Sequence, residues 1–140
     1  MRFRKSMVTT LLALGLGGVT PARAEVVPVV SANSSVTTLS KDQIADIFLG
    51  RASRFPNGEL AVPIDQMTGS EARNAFYAKF TGKSPAQLKA YWSKIIFTGR
   101  GLPPPAVASD GEVKQRLVDN PHAIGYIENT TIDGRVGVLQ

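Results

Sequence analysis

The chain has 140 residues, with 16 Lys and Arg against 11 Asp and Glu, one histidine and no cysteine. The absence of cysteine excludes disulfides and thiolate metal ligands, and a metal site built on two histidines cannot be assembled from one. The apparent basicity is uneven: residues 1–24 hold Arg2, Arg4, Lys5 and Arg23 and no acidic residue, so the remainder carries 12 basic and 11 acidic groups, a net charge of +1. A nucleic-acid-binding role, which needs a basic face on the folded domain, loses its main support.

Residues 1–24 read as a secretory signal: a basic start, an apolar run over 7–19, and Ala22-Arg23-Ala24 as the small-x-small cleavage pattern. The uncharged run falls short of the roughly 20 residues needed to span a bilayer, so cleavage after Ala24 is expected rather than a membrane anchor. A lipid anchor, which needs a cysteine at the cleavage site, is excluded as well. The 116 residues that follow, 25–140, suffice for one domain with a single core, soluble and periplasmic if the source is Gram-negative.

In chain order, residues 26–30 form a β-branched run whose Pro28 suggests an edge or irregular strand, followed by a polar turn over 32–35. Ser40 with Gln43 makes a capping box for a short helix carrying Ile44, Ile47 and Phe48, stopped at Gly50. Residues 51–59, with Pro56-Asn57-Gly58, read as a surface loop, and 60–64 as a strand. Thr68 with Glu71 forms a second box, and Ala72, Ala75, Phe76 and Phe80 line one face of the helix behind it. Ser84, Pro85 and Gln87 open a third helix with an apolar stripe of Leu88, Tyr91, Trp92, Ile95 and Ile96. Residues 98–108, with three consecutive prolines, are expected to run extended over the surface. Ser109 and Glu112 open a fourth helix with Val113 and Leu117 inward; Pro121 ends it, and strands over 123–127 and 136–139 flank an Asp133-Gly134 turn. Strands alternating with helices predict an α/β fold, a three-layer sandwich around a small mixed sheet.

Four stretches, "LSKDQIADIFLGR" (39–51), "VPIDQMTGSEARNAFY" (62–77), "GKSPAQLKAYWSKIIFTGRGLPP" (82–104) and "NPHAIGYI" (120–127), together resemble the short phosphate ABC transporter substrate-binding-protein-like group of the type II periplasmic binding protein superfamily. The resemblance covers most of residues 25–140. It implies one lobe of a binding protein rather than an enzyme, with an anion held by hydroxyls and backbone N–H groups at helix N-termini. Phosphate-binding members place a Ser-Gly-Thr turn on the ligand, which Thr68-Gly69-Ser70 matches in type and position. An arginine precedes that turn in those members; here the positions read Ile64, Asp65, Gln66 and Met67.

Physical chemistry leaves two readings of Thr68, Gly69 and Ser70: an anion cradle on unpaired N–H groups, or a plain capped helix start. Glu71, at the third helical position of the expected box, competes for the same N–H groups, and Asp65 adds a second negative charge upstream. Arg73, leaning back toward the helix start, would offset them. Ser34 and Ser35 follow the first strand, where an α/β sheet presents its ligand loop, although serine is also ordinary turn chemistry. Arg100, between two glycines, could swing over an anion as a fork-shaped donor or stay solvated, and Arg51 and Arg54 are weaker candidates of the same kind. His122 reads as a turn residue, where the resemblance, whose members more often carry glycine after Asn-Pro, implies a positive φ that histidine tolerates poorly, and Tyr91 and Trp92 read as core.

No catalytic residues, metal ligands or cofactor follow from these residues, since no nucleophile, base and orienting group can be named. Two functions remain. One is a non-catalytic solute-binding-like protein for phosphate or another small oxyanion, in which a second copy or a partner closes the half-site. The other is a protein–protein interaction module that kept the fold without the solute, using the 51–59 and 98–108 loops.

Overall fold

A computed structural model describes residues 25–140 together with Gly15 and Gly17; the leader expected over 1–24 otherwise lies outside the described residues. The chain runs β1 (Val26–Ser31), α1 (Lys41–Phe48), β2 (Val62–Pro63), β3 (Asp65–Gln66), α2 (Glu71–Thr81), α3 (Pro85–Phe97), β4 (Ala106–Val107), α4 (Asp110–Asp119), β5 (Ala123–Glu128) and β6 (Val136–Val138), with a 3-10 turn at Asn129–Thr131.

Four strands make a mixed sheet in the order β2-β5-β1-β6. β1 is antiparallel to β5 and β6, and β2 is parallel to β5. β1 is thus central, not the edge strand that Pro28 suggested. The missing donor is tolerated because of where it falls. Pro28 accepts from Leu139 N at 3.0 Å, its nitrogen faces the same side, and the ladder with β6 ends there, at Val138.

Alternation along the strands separates two cores. Val26, Val30, Ile124 and Tyr126 face α1, α2 and α3, while Val29, Ala123 and Ile127 face α4 through Val113 and Leu117. The result is the expected three-layer α/β sandwich. Gly125 lets α4 come close: a Cβ there would sit 2.6 Å from Val113 Cγ1.

Local helix signals hold with revisions. Ser40 and Ser84 form complete capping boxes with Gln43 and Gln87. The cap of α2 is Ser70 rather than Thr68, because its hydroxyl is the one that accepts from an α2 amide, Arg73 N. Glu71 is therefore the first helical residue and not the third. Ser109 caps α4, but Glu112 accepts from Ala108 N instead of returning to Ser109, so that box is incomplete. On α2, Ala75 is exposed and Tyr77 is buried, and on α3 Ile96 is half exposed beside a fully projecting Phe97. The expected strand over 60–64 is cut at Ile64. The chain there leaves the main sheet, and Asp65–Gln66 pairs in parallel with Ala106–Val107 at the end of the proline loop. His122 has no positive φ, since among the described residues only glycines do.

Candidate functional site

The second, two-stranded pair aims the chain at the start of α2. Asp65 aligns with Ala106 and Gln66 with Val107, and Met67 N then donates to Val107 O at 3.1 Å. Ser70 N returns to Met67 O at 3.1 Å, closing a tight turn in which Gly69 takes φ +93° with open space above it. Only glycine holds that conformation without strain. The Ser70 hydroxyl donates to Gln66 Oε1 at 3.1 Å and accepts from Arg73 N at 3.2 Å. Asn74 N is taken by Ser70 O, which leaves the N–H groups of Glu71 and Ala72 without an acceptor among the described residues. They carry the positive end of the helix dipole, the arrangement on which an oxyanion can rest.

Beneath the turn lies a buried polar cluster that pattern reasoning missed. Asp65 is 3% exposed. Its Oδ1 accepts from the Tyr126 hydroxyl and, at 2.8 Å, from Gln66 N; its Oδ2 accepts from the Tyr77 hydroxyl at 2.8 Å and lies 3.6 Å from Arg73 Nε. Gln66 donates its side-chain amide to Asp110 Oδ1 and Tyr126 O, and Asp110 Oδ2 accepts from Glu128 N and the Thr131 hydroxyl. Every group is matched, as a low-dielectric interior requires. The sequence signal, in hindsight, is a polar Asp-Gln pair directly behind an apolar strand.

Burial, followed by the adjacent Asp65 charge, pushes the hydroxyls of Tyr77 and Tyr126 far above their ordinary value of 10.0. A folded-state value above the unfolded one contributes stability that is fully present below pH 10 and is lost as pH rises beyond it. Stability, followed as melting temperature against pH, is therefore expected to fall steeply above pH 10, by up to about 2.7 kcal/mol per pH unit for two such groups. A flat profile from pH 10 to 11.5 in the Tyr77→Phe, Tyr126→Phe double variant, with a steep one in the parent, assigns the effect.

Arg73 does lean back toward the helix start, its guanidinium 5.3 Å over the Tyr77 ring and beside Asp65. With its charge matched by Asp65, it adds geometry more than net charge. Thr68 and Arg73 line a groove of about 600 Å³ that also takes in Lys89 and Trp92 of α3. Arg100 lies in a neighbouring cavity of about 390 Å³ with Lys94 and Tyr91, and Trp92 lines both. Ser34 and Ser35 are engaged elsewhere: the Ser34 hydroxyl accepts from Val36 N, and the Ser35 hydroxyl donates to Glu59 and accepts from Asn57. The structure thus brings Thr68, Gly69, Ser70 and Arg73 together, sets Arg100 next door, ties Ser35 to the 57–59 turn and leaves Ser34 in a local turn with Val36. Among the described residues no group of three or more His, Asp or Glu side chains could hold a metal ion, and no helix is long and apolar enough to cross a membrane.

No family model and no curated protein matches the chain. Solved structures do. A Clostridium perfringens protein assigned as a phosphate ABC transporter substrate-binding protein, with phosphate bound, superposes with a TM-score of 0.64 at 23% identity, over 84% of this chain and 44% of that one. An ABC-type phosphate transport receptor from Vibrio cholerae gives 0.65 at 19%, over 84% and 46%, and PstS from Borrelia burgdorferi gives 0.63 at 16%, over 84% and 47%. This is the fold of phosphate substrate-binding proteins at the size of one lobe. The chain spans less than half the length of each of these neighbours.

Proposed function

We propose that residues 25–140 are a non-catalytic, periplasmic solute-binding-like domain, exported by a cleavable leader over residues 1–24, whose ligand is phosphate or another small oxyanion. The observation that carries this reading is the pair of unmatched N–H groups at Glu71 and Ala72, set above a turn whose Thr68 shares a groove with Arg73 and Lys89. Similarity of fold to a phosphate-bound neighbour supports it. The site is open on one side, so affinity is expected to be weak unless a second copy or a partner covers it.

Thermal denaturation of the leader-free domain in phosphate, sulfate and arsenate tests the reading. A ligand at one hundred times its dissociation constant stabilises by about 2.7 kcal/mol through mass action. The melting temperature is expected to climb with millimolar oxyanion, and Gly69→Trp, which fills the space over the turn, to abolish the climb. No response to any of the three ions retires the solute.

A second reading, an interaction module, is favoured by one surface. Phe97 is 93% exposed, Leu102 79% and Ile96 49%, all at the end of α3 and the loop behind it. Apolar groups clustered this way mark contact surfaces. The 51–59 loop is less suited, because Phe55 is buried and the loop is pinned to itself by bonds between Phe55, Gly58 and Glu59. Self-association abolished by Phe97→Asp in sedimentation, with no oxyanion response, would select this reading.

A further inference from the structure

The groove beside the turn is built for more than a bare oxyanion. A tetrahedral ion fills only a small part of its roughly 600 Å³, a volume in the range of cavities that take whole organic ligands. Its lining combines Thr68, Ser93 and the cations Arg73 and Lys89 with an apolar wall that includes Pro85, Trp92 and Ile96. No carboxylate lines it. Because Asp65 already matches Arg73, Lys89 supplies the uncompensated positive charge.

We infer that this groove takes an amphipathic organic oxyanion, a phosphate, phosphonate or sulfonate head on a short apolar body, with the head at Thr68, Arg73 and Lys89 and the body along Trp92 and Ile96. The inference deepens the oxyanion reading above and rests on it for the head group only. Pro85 contributes rigidity: it is the first residue of α3, with φ held by its ring, so the wall needs little ordering when a ligand arrives. Each methylene buried along the wall adds about fourfold in affinity, so a six-carbon body partly covered in an open groove is expected to gain at least tenfold over the head alone.

Trp92 is the only tryptophan of the chain, so its emission reports on this groove without labelling. The leader-free domain is titrated with hexyl phosphate, inorganic phosphate and hexanol, following Trp92 emission and, in parallel, calorimetric heat. Hexyl phosphate is expected to shift the emission and to bind at least tenfold tighter than phosphate, with hexanol weaker than both. Ile96→Ser and Lys89→Ala, both at exposed positions, are each expected to weaken hexyl phosphate fivefold or more. Hexyl phosphate no tighter than inorganic phosphate overturns the apolar subsite and leaves the oxyanion reading standing. Hexanol as tight as hexyl phosphate overturns the role given to Lys89 and Arg73. Silence from all three ligands overturns both readings.

Discussion

Replacing Asp65 with alanine is expected to destabilise the domain by about 3–5 kcal/mol, because one substitution strands two buried tyrosine hydroxyls and removes the carboxylate beside Arg73. The hydroxyls of Tyr77 and Tyr126, the Gln66 amide and Arg73 all meet on this one carboxylate, and both tyrosines are essentially without solvent contact. Neither tyrosine hydroxyl can turn to water without opening the core. For a domain of this size the loss corresponds to a fall in melting temperature on the order of 15 °C, read by circular dichroism. Asp65→Asn keeps one acceptor oxygen and is expected to lose clearly less. A loss below about 1 kcal/mol in Asp65→Ala would show the cluster to be wetter than its geometry states. A functional consequence follows from the same bonds: Gln66 ties the cluster to the Ser70 cap, so the variant should also loosen the turn at 68–70 and weaken oxyanion binding.

Phe76→Ala is expected to lose a similar amount, about 3–5 kcal/mol, for an apolar reason. Phe76 has no solvent exposure, stacks on Tyr126 at 4.1 Å and 7°, and meets Phe48 at 4.7 Å and Phe80 at 4.9 Å edge-on or tilted. Its ring is the contact through which α1, α2 and β5 share one core, so the cavity left by alanine opens on three elements that cannot all collapse into it. Chemical denaturation should show a lower midpoint with an unchanged slope if the native state stays compact. A Phe76→Leu variant that recovers most of the stability separates volume from the aromatic geometry.

The two losses have different origins and share Tyr126, which stacks on Phe76 with its ring and donates to Asp65 with its hydroxyl. They are therefore expected to be non-additive when combined, the double variant losing less than the sum of the two.

Local chemistry carried the fold a long way. A serine and a Gln or Glu three residues on mark a helix start through bonds made within four residues, and Ser40 and Ser84 behave as their spacing dictates. A β-branched run placed β1, and strands alternating with helices pointed to three layers. The turn at 68–70 was legible for the same reason, since glycine between hydroxyl residues ahead of a helix is local information.

What the sequence by itself determined is thus the four helices, the caps at Ser40 and Ser84, strands β1 and β5, and the turn on which an oxyanion reading rests. Tertiary structure alone decided which residues meet. Asp65 finds Tyr126 across 61 positions, Gln66 finds Asp110 across 44, and Thr68 and Arg73 come to share a groove with Lys89 of α3. A carboxylate ahead of a helix reads as a free repelling charge along the chain. It becomes a buried, matched one only when two distant tyrosines and an arginine converge on it, and no periodicity along one chain encodes that convergence.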